Sequence, residues 1–182
     1  MVISVVIPVK DGGADLSRCL GAIESQVIGD EVEVVIVDSG STDGSVELAR
    51  AHGACVREIA PHEFSHGAAR NVGARAATGD LLVFISQDAY PVDEHWLERL
   101  TRPLRAQSDV AGVYGRQLPH SGARPPEVYF LDFLYGPRAR RQRAPAVADL
   151  SMEATLFSNV NAAMSRAIWE RFPFVEDIIM SE

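Results

Sequence analysis

The stretch GAARNVGARAATGDLLVFISQDAYP, residues 67–91, contains the transition that decides the fold. Its first half is rich in alanine and arginine and ends at Gly79, which predicts a helix stopped by a glycine. The residues from Leu81 to Ser86 form a continuous apolar run, which is typical of a strand covered on both faces. Such a strand needs helices above and below it, so the stretch predicts a layered α/β fold.

The same alternation extends toward the N-terminus. Two β-branched runs, Val2 to Val9 and Glu33 to Asp38, predict further buried strands. Between these runs, apolar side chains recur at helical spacing and predict a helix. They are Leu16, Cys19, Leu20, Ile23 and Val27.

A second helix and a short strand are predicted after the second run. The sequence STDGSVELARAHG, residues 41–53, predicts a helix that begins near Ser41 or Thr42 and stops at Gly53. A strand is expected from Cys55.

The chain beyond the quoted stretch continues the alternation and then loses it. Asp93 is expected to cap a helix that Pro103 kinks or shortens, and residues 110–115 predict a further strand. Residues 115–148 contain five prolines and predict a long irregular excursion. Helical character returns near the end of residues 158–172. Strands alternating with helices predict a mostly parallel central sheet with helices on both faces.

The composition is that of a globular chain of 182 residues, with 47% hydrophobic and 23% charged residues. The formal net charge of -8 argues against general nucleic-acid binding, which usually needs a basic face. Four arginines are the local exception, and they form either a solvated loop or a contact for phosphates or an anionic membrane surface. They are Arg138, Arg140, Arg141 and Arg143.

The sequence also indicates a compartment. No apolar run reaches the roughly 20 residues that cross a bilayer. The first residues lack a basic region and a cleavage site, so they predict a first strand and not a signal peptide. The two cysteines, Cys19 and Cys55, are expected to be buried thiols in a reducing cytoplasm.

Candidate site residues follow from the predicted sheet, because parallel α/β sheets bind ligands beyond the carboxyl ends of their strands. These ends are Pro8 to Asp11, Asp38 to Ser41, and Gln87 with Asp88. Asp38 either accepts hydrogen bonds from a nucleobase or ribose or caps the turn that follows it. Asp88 either meets a divalent cation that bridges to substrate phosphates or is an ordinary loop aspartate.

One motif suggests a different chemistry. Residues His62 to His66 fit H-E-x-x-H, in which two histidines one helical turn apart hold zinc and the glutamate is a general base. Gly67 follows at once and weakens the helix that the motif requires, and no G-x-x-H continuation supplies a third ligand. We therefore interpret the zinc-protease pattern as a coincidence.

Four motifs together resemble a known family. VVIPVKDGG, VVIVDSGSTDGS, GAARNVGARAATGDLLVFISQDAYP and SNVNAAMSR occur in this order along essentially the whole chain. They resemble the inverting nucleotide-sugar glycosyltransferases of family 2, and most of all the bacterial rhamnosyltransferase-like branch. The resemblance implies a GT-A fold with a Rossmann-like nucleotide-binding half. Residues 1–114 would bind the donor, and residues 115–182 would form a partial acceptor-side region continuous with the same domain.

The resemblance also implies roles for individual residues. Asp38 would hydrogen-bond a uracil or thymine base. Arg70 would lie near the base and diphosphate, and Asn71 would brace the adjoining turn. Phe64 would pack on the sheet edge, and His66 would contact phosphate or cap the helix. Together with the strand ends, the nucleotide-binding residues expected are Pro8, Val9, Asp11, Asp38, Ser41, Arg70 and Gln87.

The metal and the catalytic base are implied with two departures from the family pattern. Asp88 occupies the place of the metal-binding D-x-D motif and is expected to hold Mg²⁺ or Mn²⁺, with one carboxylate where many relatives have two or three. The base is expected in an acidic pair after the SNVNAA segment, and the candidates are Asp177 and Glu182. If Glu182 is the first member of that pair, its aspartate lies beyond the chain. The chain would then be a donor-binding fragment truncated at its C-terminus.

The leading hypothesis is a metal-assisted, inverting transfer of a sugar, such as the deoxyhexose rhamnose, from a nucleoside diphosphate to a glycan or lipid-linked acceptor. It would take place in the cytoplasm or at the inner face of the membrane. One alternative is a nucleotide-binding module without turnover. Another is a nucleotidyltransferase, which needs a triphosphate loop after the first strand that PVKDGGADLSR does not resemble.

Overall fold

One six-stranded sheet forms the centre of the computed structural model, which describes residues 1–143, 151 and 155–178. Its strands are β1 (Val2–Val9), β2 (Glu31–Asp38), β3 (Cys55–Glu58), β4 (Leu81–Ile85), β5 (Gly112–Tyr114) and β6 (Asn161–Ser165). They lie in the order β3-β2-β1-β4-β6-β5. The first four strands of this order run parallel, whereas β6 is antiparallel to both of its neighbours. The mostly parallel sheet predicted from the sequence is confirmed.

Helices cover both faces of the sheet. They are α1 (Gly13–Glu24), α2 (Ser45–Ala51), α3 (His66–Ala76), α4 (Trp96–Ala106), α5 (Pro125–Leu134) and α6 (Arg166–Arg171). A single turn of 3-10 helix, Pro61–Glu63, precedes α3. Within the described part of the chain, no helix combines the length and apolar character needed to span a bilayer.

Two apolar cores result, because alternate residues of the central strands point to opposite faces. One core includes Ile3, Val5, Ile7, Leu16, Leu20, Leu97 and Leu100, from β1, α1 and α4. The other includes Val6, Val35, Ala74, Leu82, Phe84 and Trp169, from β1, β2, α3, β4 and α6. The layered arrangement explains why the central strands are apolar at consecutive positions.

Helix α3 lies close to the sheet and is fixed at its C-terminal end. Gly73 faces β1, where an added Cβ would come within 2.3 Å of Val6 Cγ1. At the end of the helix, the Arg166 guanidinium donates to three carbonyl oxygens at 2.8–3.1 Å. These carbonyls belong to Ala74, Ala77 and Gly79. The C-terminal half of α3 is therefore held by close packing on β1 and by the bonds from Arg166.

The second predicted helix begins later than the sequence suggested. α2 starts at Ser45, and neither Ser41 nor Thr42 is its N-cap. Gly44 precedes the helix with φ of 88°, a left-handed conformation that interrupts the helical path. The Asp43 carboxylate accepts a hydrogen bond from the Ser45 N–H at 3.0 Å, so the polar run before the helix forms a turn.

Pro103 lies inside α4, which continues to residue 106, so the proline does not end the helix. Two smaller predictions were wrong. Val27 lies beyond the end of α1 and is 58% exposed. Cys55 is exposed on the edge strand β3, although Cys19 is buried as expected. Burial, with the negative charge of Asp88, raises the pKa of the Cys19 thiol to about 12.

The region from residue 115 contains two elements that the sequence did not indicate. α5 forms where an irregular excursion was expected. Asn161–Ser165 forms strand β6 between β4 and β5, where no strand was predicted, whereas the helical character expected near the end of residues 158–172 is present as α6. Its small and polar residues lack the β-branched signal of a strand, and pairing on both sides decides its conformation.

Candidate active site

A cleft of about 310 Å³ opens at the carboxyl ends of β1 and β4. Three segments line it: the end of β1, the end of β4, and the turn and first half of α3. The lining residues are Pro8, Val9, Lys10, Phe64, His66, Arg70, Ser86, Gln87 and Asp88. This is the edge at which a parallel α/β sheet binds ligands.

The Gln87 carboxamide fixes one side of the β1–α1 loop. Its Oε1 accepts a hydrogen bond from the Lys10 N–H at 2.8 Å, and its Nε2 donates to the Lys10 carbonyl at 3.0 Å. Both backbone polar groups of Lys10 are thereby satisfied by one side chain. Gln87 therefore holds the loop that follows β1, in addition to lining the cleft.

The loop after β2 fixes the other side of the β1–α1 loop. The Asp11 N–H donates to Ser41 Oγ at 2.8 Å, and Asp11 Oδ1 accepts from the Thr42 N–H at 2.8 Å. Asp11 has φ of 46°, an uncommon conformation for a residue other than glycine, and these bonds hold it there. The side chains of Asp11 and Ser41 thus bind each other's loops.

Asp43 completes this second set of bonds. Its Oδ2 accepts from the Gly13 N–H at 2.9 Å, and the Ser45 hydroxyl donates to its Oδ1 at 2.6 Å. The hydrogen bond from Ser45 lowers the pKa of the Asp43 carboxyl below its usual value. The start of α1 is therefore tied to the start of α2.

Asp38 uses only one of its carboxylate oxygens. It ends β2 in register with Val9 and is 1% exposed. Oδ1 accepts from the N–H groups of Gly40 and Ser41, both at 2.9 Å, which is the turn-capping role considered from the sequence. Oδ2 is buried and has no hydrogen-bond partner among the described residues. Because buried polar atoms are nearly always paired, this oxygen is a candidate ligand contact.

Arg70 brings positive charge to the cleft. It is 4% exposed and donates to the carbonyls of His66 at 3.1 Å and Asn159 at 3.3 Å. Burial lowers the pKa of the Arg70 guanidinium to about 10, which leaves it charged at neutral pH. Burial and the nearby Arg70 charge lower the pKa of His66, which favours its neutral form.

The first half of α3 also corrects one expectation. Ser65 is the N-cap of α3 and accepts from the Ala68 N–H at 3.0 Å, so His66 does not cap the helix. The His66 ring instead lies edge-to-face with Phe64, with centroids 5.2 Å apart. Phe64 is 38% exposed and forms part of the cleft wall.

The H-E-x-x-H segment does not form a zinc site. His62 and Glu63 belong to the 3-10 turn, and Phe64 and Ser65 are extended, with ψ of 122° and 163°. His66 begins α3, so the two histidines are not one helical turn apart. Glu63 instead accepts a hydrogen bond from the Ala60 N–H at 2.9 Å.

Asp88 is exposed, and it is the one carboxylate among the described residues that line the cleft. The described residues contain no cluster of three or more His, Cys, Asp or Glu that could hold a cation. A magnesium-type ion often uses one or two carboxylates and takes its remaining ligands from substrate phosphates and water. The single carboxylate fits that mode of binding, and it does not fit an all-protein metal cage.

Asn71 connects α3 to the candidate base segment. It is 2% exposed, and its carboxamide donates to the Phe174 carbonyl and to Glu176 Oε1, both at 2.8 Å. Its Oδ1 accepts from Trp169 Nε1 at 2.9 Å and from the Phe174 N–H at 3.1 Å. Asn71 therefore holds the segment after α6, and not the turn before α3 that it was expected to brace.

The two candidates for the catalytic base are Asp177 and Glu182. Asp177 directly follows Glu176 and is exposed. Glu176 itself lies 3.6 Å from Arg75 and is a partner of α3. Glu182 lies outside the described residues.

One cleft residue, Ser86, was absent from the sequence-based candidates, and a second, Lys10, lay within the candidate stretch Pro8 to Asp11 without being given a role. Ser86 ends the apolar run before Gln87, and Lys10 follows β1 directly. The Lys10 ammonium donates to the Gly40 carbonyl and lies 3.6 Å from Asp11 Oδ2. Their signal was available, since both are polar residues at the end of an apolar strand.

The sheet, the cleft at its carboxyl edge and the carboxylates at the ends of two parallel strands define an α/β domain of the class that binds ligands beyond the carboxyl ends of its strands. The chain belongs to glycosyl transferase family 2, whose sequence profile matches residues 4–167. The resemblance drawn from the four motifs is confirmed.

Two relatives carry the name of the branch that the motifs suggested. The O-antigen chain rhamnosyltransferase RfbN of Salmonella typhimurium is 31% identical over 189 residues, an alignment that covers 100% of this chain and 58% of that protein. The O-antigen chain rhamnosyltransferase WbaN of Salmonella anatum is 34% identical over 152 residues, covering 82% of this chain and 48% of that protein. The chain thus spans about half the length of the curated relatives it matches.

Solved structures agree with the expected fold. The mannosyltransferase PcManGT of Pyrobaculum calidifontis, in complex with GDP-Man and Mn²⁺, has a TM-score of 0.68 and 25% identity. The match covers 97% of this chain and 48% of that protein. The GT-A fold expected from the sequence is confirmed.

Proposed function

We propose that the chain binds a nucleoside-diphosphate sugar and takes part in transferring the sugar, with inversion, to a glycan or lipid-linked acceptor. The observation that carries the proposal is the convergence of three groups at one sheet edge. These are the buried Asp38 Oδ2, which has no hydrogen-bond partner among the described residues, the Arg70 guanidinium and the Asp88 carboxylate. A base, a diphosphate and a divalent cation each require one such partner.

The base is assigned to the side of the cleft near β2. Asp38 Oδ2 would accept the imide N–H of uracil or thymine, since an ionised carboxylate is an acceptor only. Pro8 and Val9, at the end of β1, would form the floor under the base. Asp11 and Ser41 would support this position by fixing the loop around it.

The diphosphate is assigned to the part of the cleft that carries positive charge, at Arg70 and Lys10. Arg70 can form two parallel hydrogen bonds with phosphate oxygens, and its burial limits competition from water. Lys10, which also lines the cleft, would add a second positive charge. Gln87 would act by holding the Lys10 backbone in place.

Asp88 would hold Mg²⁺ or Mn²⁺ together with the donor phosphates. Such an ion neutralises charge on the departing nucleoside diphosphate. We predict that Asp88→Ala removes the increase in UDP affinity that Mn²⁺ produces in calorimetry. Asp15→Ala, an exposed carboxylate on α1, is the matched control and should behave like the unsubstituted chain. A manganese effect that survives Asp88→Ala removes Asp88 from the site.

Inversion requires a base that deprotonates the acceptor hydroxyl on the face opposite the leaving nucleotide. Asp177 is one candidate, because Asn71 fixes the residue before it against α3. Glu182, with the acidic residue that would follow it in a longer chain, is the other.

The sugar and the acceptor follow from the similarity to the rhamnosyltransferases. We propose rhamnose or another deoxyhexose as the sugar and a growing glycan, free or lipid-linked, as the acceptor. The reaction is assigned to the cytoplasm, at the inner face of the membrane when the acceptor is lipid-linked. The competing function is nucleotide binding without turnover, which the exposure of Asp177 would favour.

A transfer assay tests the proposal. Transfer from dTDP-rhamnose and from UDP-sugars is measured for this chain, for Asp177→Asn and for a chain extended past Glu182. Transfer by this chain that Asp177→Asn lowers at least 100-fold assigns the base to Asp177. Transfer only by the extended chain, unaffected by Asp177→Asn, assigns the base beyond Glu182. Nucleotide binding without transfer in either chain contradicts the enzymatic proposal and favours the binding module.

A further inference from the structure

Helix α5 exposes its apolar side to solvent. Tyr129, Phe130 and Phe133 lie on the same side of the helix, since Phe133 is four residues after Tyr129 and three after Phe130, and they are 74%, 58% and 68% exposed. The rings of Tyr129 and Phe133 are nearly parallel, 11° apart, with centroids separated by 6.4 Å. The face is therefore an organised aromatic surface.

The opposite side of α5 is the one that meets the protein. Val128, Leu131 and Leu134 are partly buried. α5 is thus apolar on both sides, a pattern typical of a helix that is covered all round. A polar outer face is what a solvent-exposed helix of this length would carry.

Positive charge accompanies the aromatic face. Residues 115–143 contain six arginines and only two acidic side chains, for a formal charge of +4, whereas the rest of the chain carries -12. Arg138, Arg140, Arg141 and Arg143 follow α5 directly and are exposed. Arg141 donates to Asp109 Oδ2 at 2.7 Å, which ties the basic segment to the turn before β5. The basic segment is therefore attached to the domain beside the aromatic helix.

We propose that α5 and the arginine segment 138–143 form a docking surface for an anionic phospholipid bilayer. Tyrosine and phenylalanine rings enter the boundary between headgroups and acyl chains, and arginines bind the anionic headgroups. The charge separation within the chain favours this partner, because an anionic surface attracts residues 115–143 and repels the remainder. The acidic remainder of the chain would stay away from the bilayer, and the donor cleft would remain accessible to nucleotide.

The proposal goes beyond donor binding and does not depend on it. It concerns a surface on which none of the cleft residues lies. A failure of nucleotide binding would leave it intact, and a failure of membrane binding would leave the proposed transfer reaction intact.

Vesicle co-sedimentation tests the proposal with the whole chain. Vesicles made of equal parts phosphatidylglycerol and phosphatidylcholine are compared with vesicles of phosphatidylcholine alone. We expect binding to the anionic vesicles that weakens as salt is added, because the arginines act through screened charge. Equal binding to both kinds of vesicle, or binding to neither, would overturn the proposal.

Two double variants separate the aromatic and basic contributions. Tyr129→Ser with Phe133→Ser should reduce the partition coefficient about tenfold or more, because both rings leave the bilayer boundary. Arg138→Ser with Arg143→Ser should reduce it roughly fivefold for each arginine removed. Arg57→Ser with Arg102→Ser makes the same charge change at exposed positions elsewhere and should have less effect. An equal loss in this control would show a nonspecific charge effect and contradict the docking surface.

Self-association is measured on the same variants by analytical ultracentrifugation. We expect a monomer in solution whose mass does not change with the aromatic substitutions. A dimer that Tyr129→Ser with Phe133→Ser dissociates would assign the face to a second copy of the chain and overturn the membrane assignment.

Discussion

The carboxyl edge of the parallel strands and the region around α5 arrange their side chains in opposite ways. At the carboxyl edge, loop groups are satisfied by one another, as in the paired bonds of Gln87 with Lys10 and of Asp11 with the loop after β2. Around α5, large rings such as Tyr129 and Phe133 point into solvent. Among the described residues, the loops of the first region pair their polar groups with one another and leave Asp38 Oδ2 without a partner, whereas the second region exposes an apolar surface.

This contrast indicates that the two regions would bind their partners through different forces. A preorganised edge loses little conformational entropy when a small ligand enters, so a few well-placed polar atoms suffice. An exposed aromatic face contributes through burial of apolar area and has little directional preference. Substitutions should therefore change stability strongly where α3 meets the sheet, and change association alone at α5.

The largest effect is expected at Asn71, which joins α3 to the last described segment. Asn71→Ala removes four hydrogen bonds and leaves buried partners, including Trp169 Nε1, without an acceptor. We predict a loss of about 3 kcal/mol or more in the free energy of unfolding, measured with urea. Glu176→Gln should cost less than about 1 kcal/mol, because its ion pair with Arg75 is exposed. Equal costs would show that Asn71 is not the central contact.

A smaller change in stability is expected from alanine substitutions at two helical glycines, Gly73 in α3 and Gly21 in α1. In Gly73→Ala, the new methyl group would meet Val6 Cγ1 at 2.3 Å, so α3 must move from the sheet. We predict a destabilisation of about 1–3 kcal/mol in thermal or urea unfolding. Gly21→Ala is the control, since nothing lies within 4 Å of its added Cβ, and it should stabilise α1 by about 0.5–1 kcal/mol. Similar responses would mean that the close approach of α3 does not matter.

The smallest effect concerns the titration of His66. Burial and the Arg70 charge lower its pKa in the folded chain, so the unfolded chain binds more protons at mildly acidic pH. The contribution of His66 to stability is therefore complete above its ordinary pKa and decreases as the pH falls through that value toward the folded pKa. NMR titration should place the His66 pKa below that of an unfolded-state histidine and show it rising in Arg70→Gln. An unchanged value in Arg70→Gln would contradict the proximity of the two charges.

Much of the carboxyl edge could be predicted because its signals are local. The strand from Val2 to Val9 and the apolar run from Leu81 identify themselves by composition, and a parallel sheet places their ends together. The positions of Asp38 and Asp88 follow from that rule alone. The sequence could not show that the two carboxylate oxygens of Asp38 differ. One caps the turn, and the other has no partner among the described residues.

The region from residue 115 was predicted poorly because its conformation depends on distant contacts. β6 has almost no strand signal and forms because β4 and β5 pair with it on either side. α5 begins with two prolines, which usually mark an irregular segment but are tolerated in the first turn of a helix. The roles of Asn71 and Arg166 likewise depend on residues about 90 to 105 positions away in the sequence, which no local pattern reveals.

Calorimetry with dTDP and UDP tests the central assignment most directly, through Asp38→Asn. Asparagine can keep the turn by accepting from Gly40 and Ser41 with its one oxygen, but it places an N–H₂ donor where Oδ2 stood. We predict that Asp38→Asn lowers nucleotide affinity at least tenfold, about 1.4 kcal/mol, with unfolding free energy nearly unchanged, and that Asp15→Asn alters neither quantity. Undiminished affinity of a folded Asp38→Asn chain for both nucleotides would contradict the account.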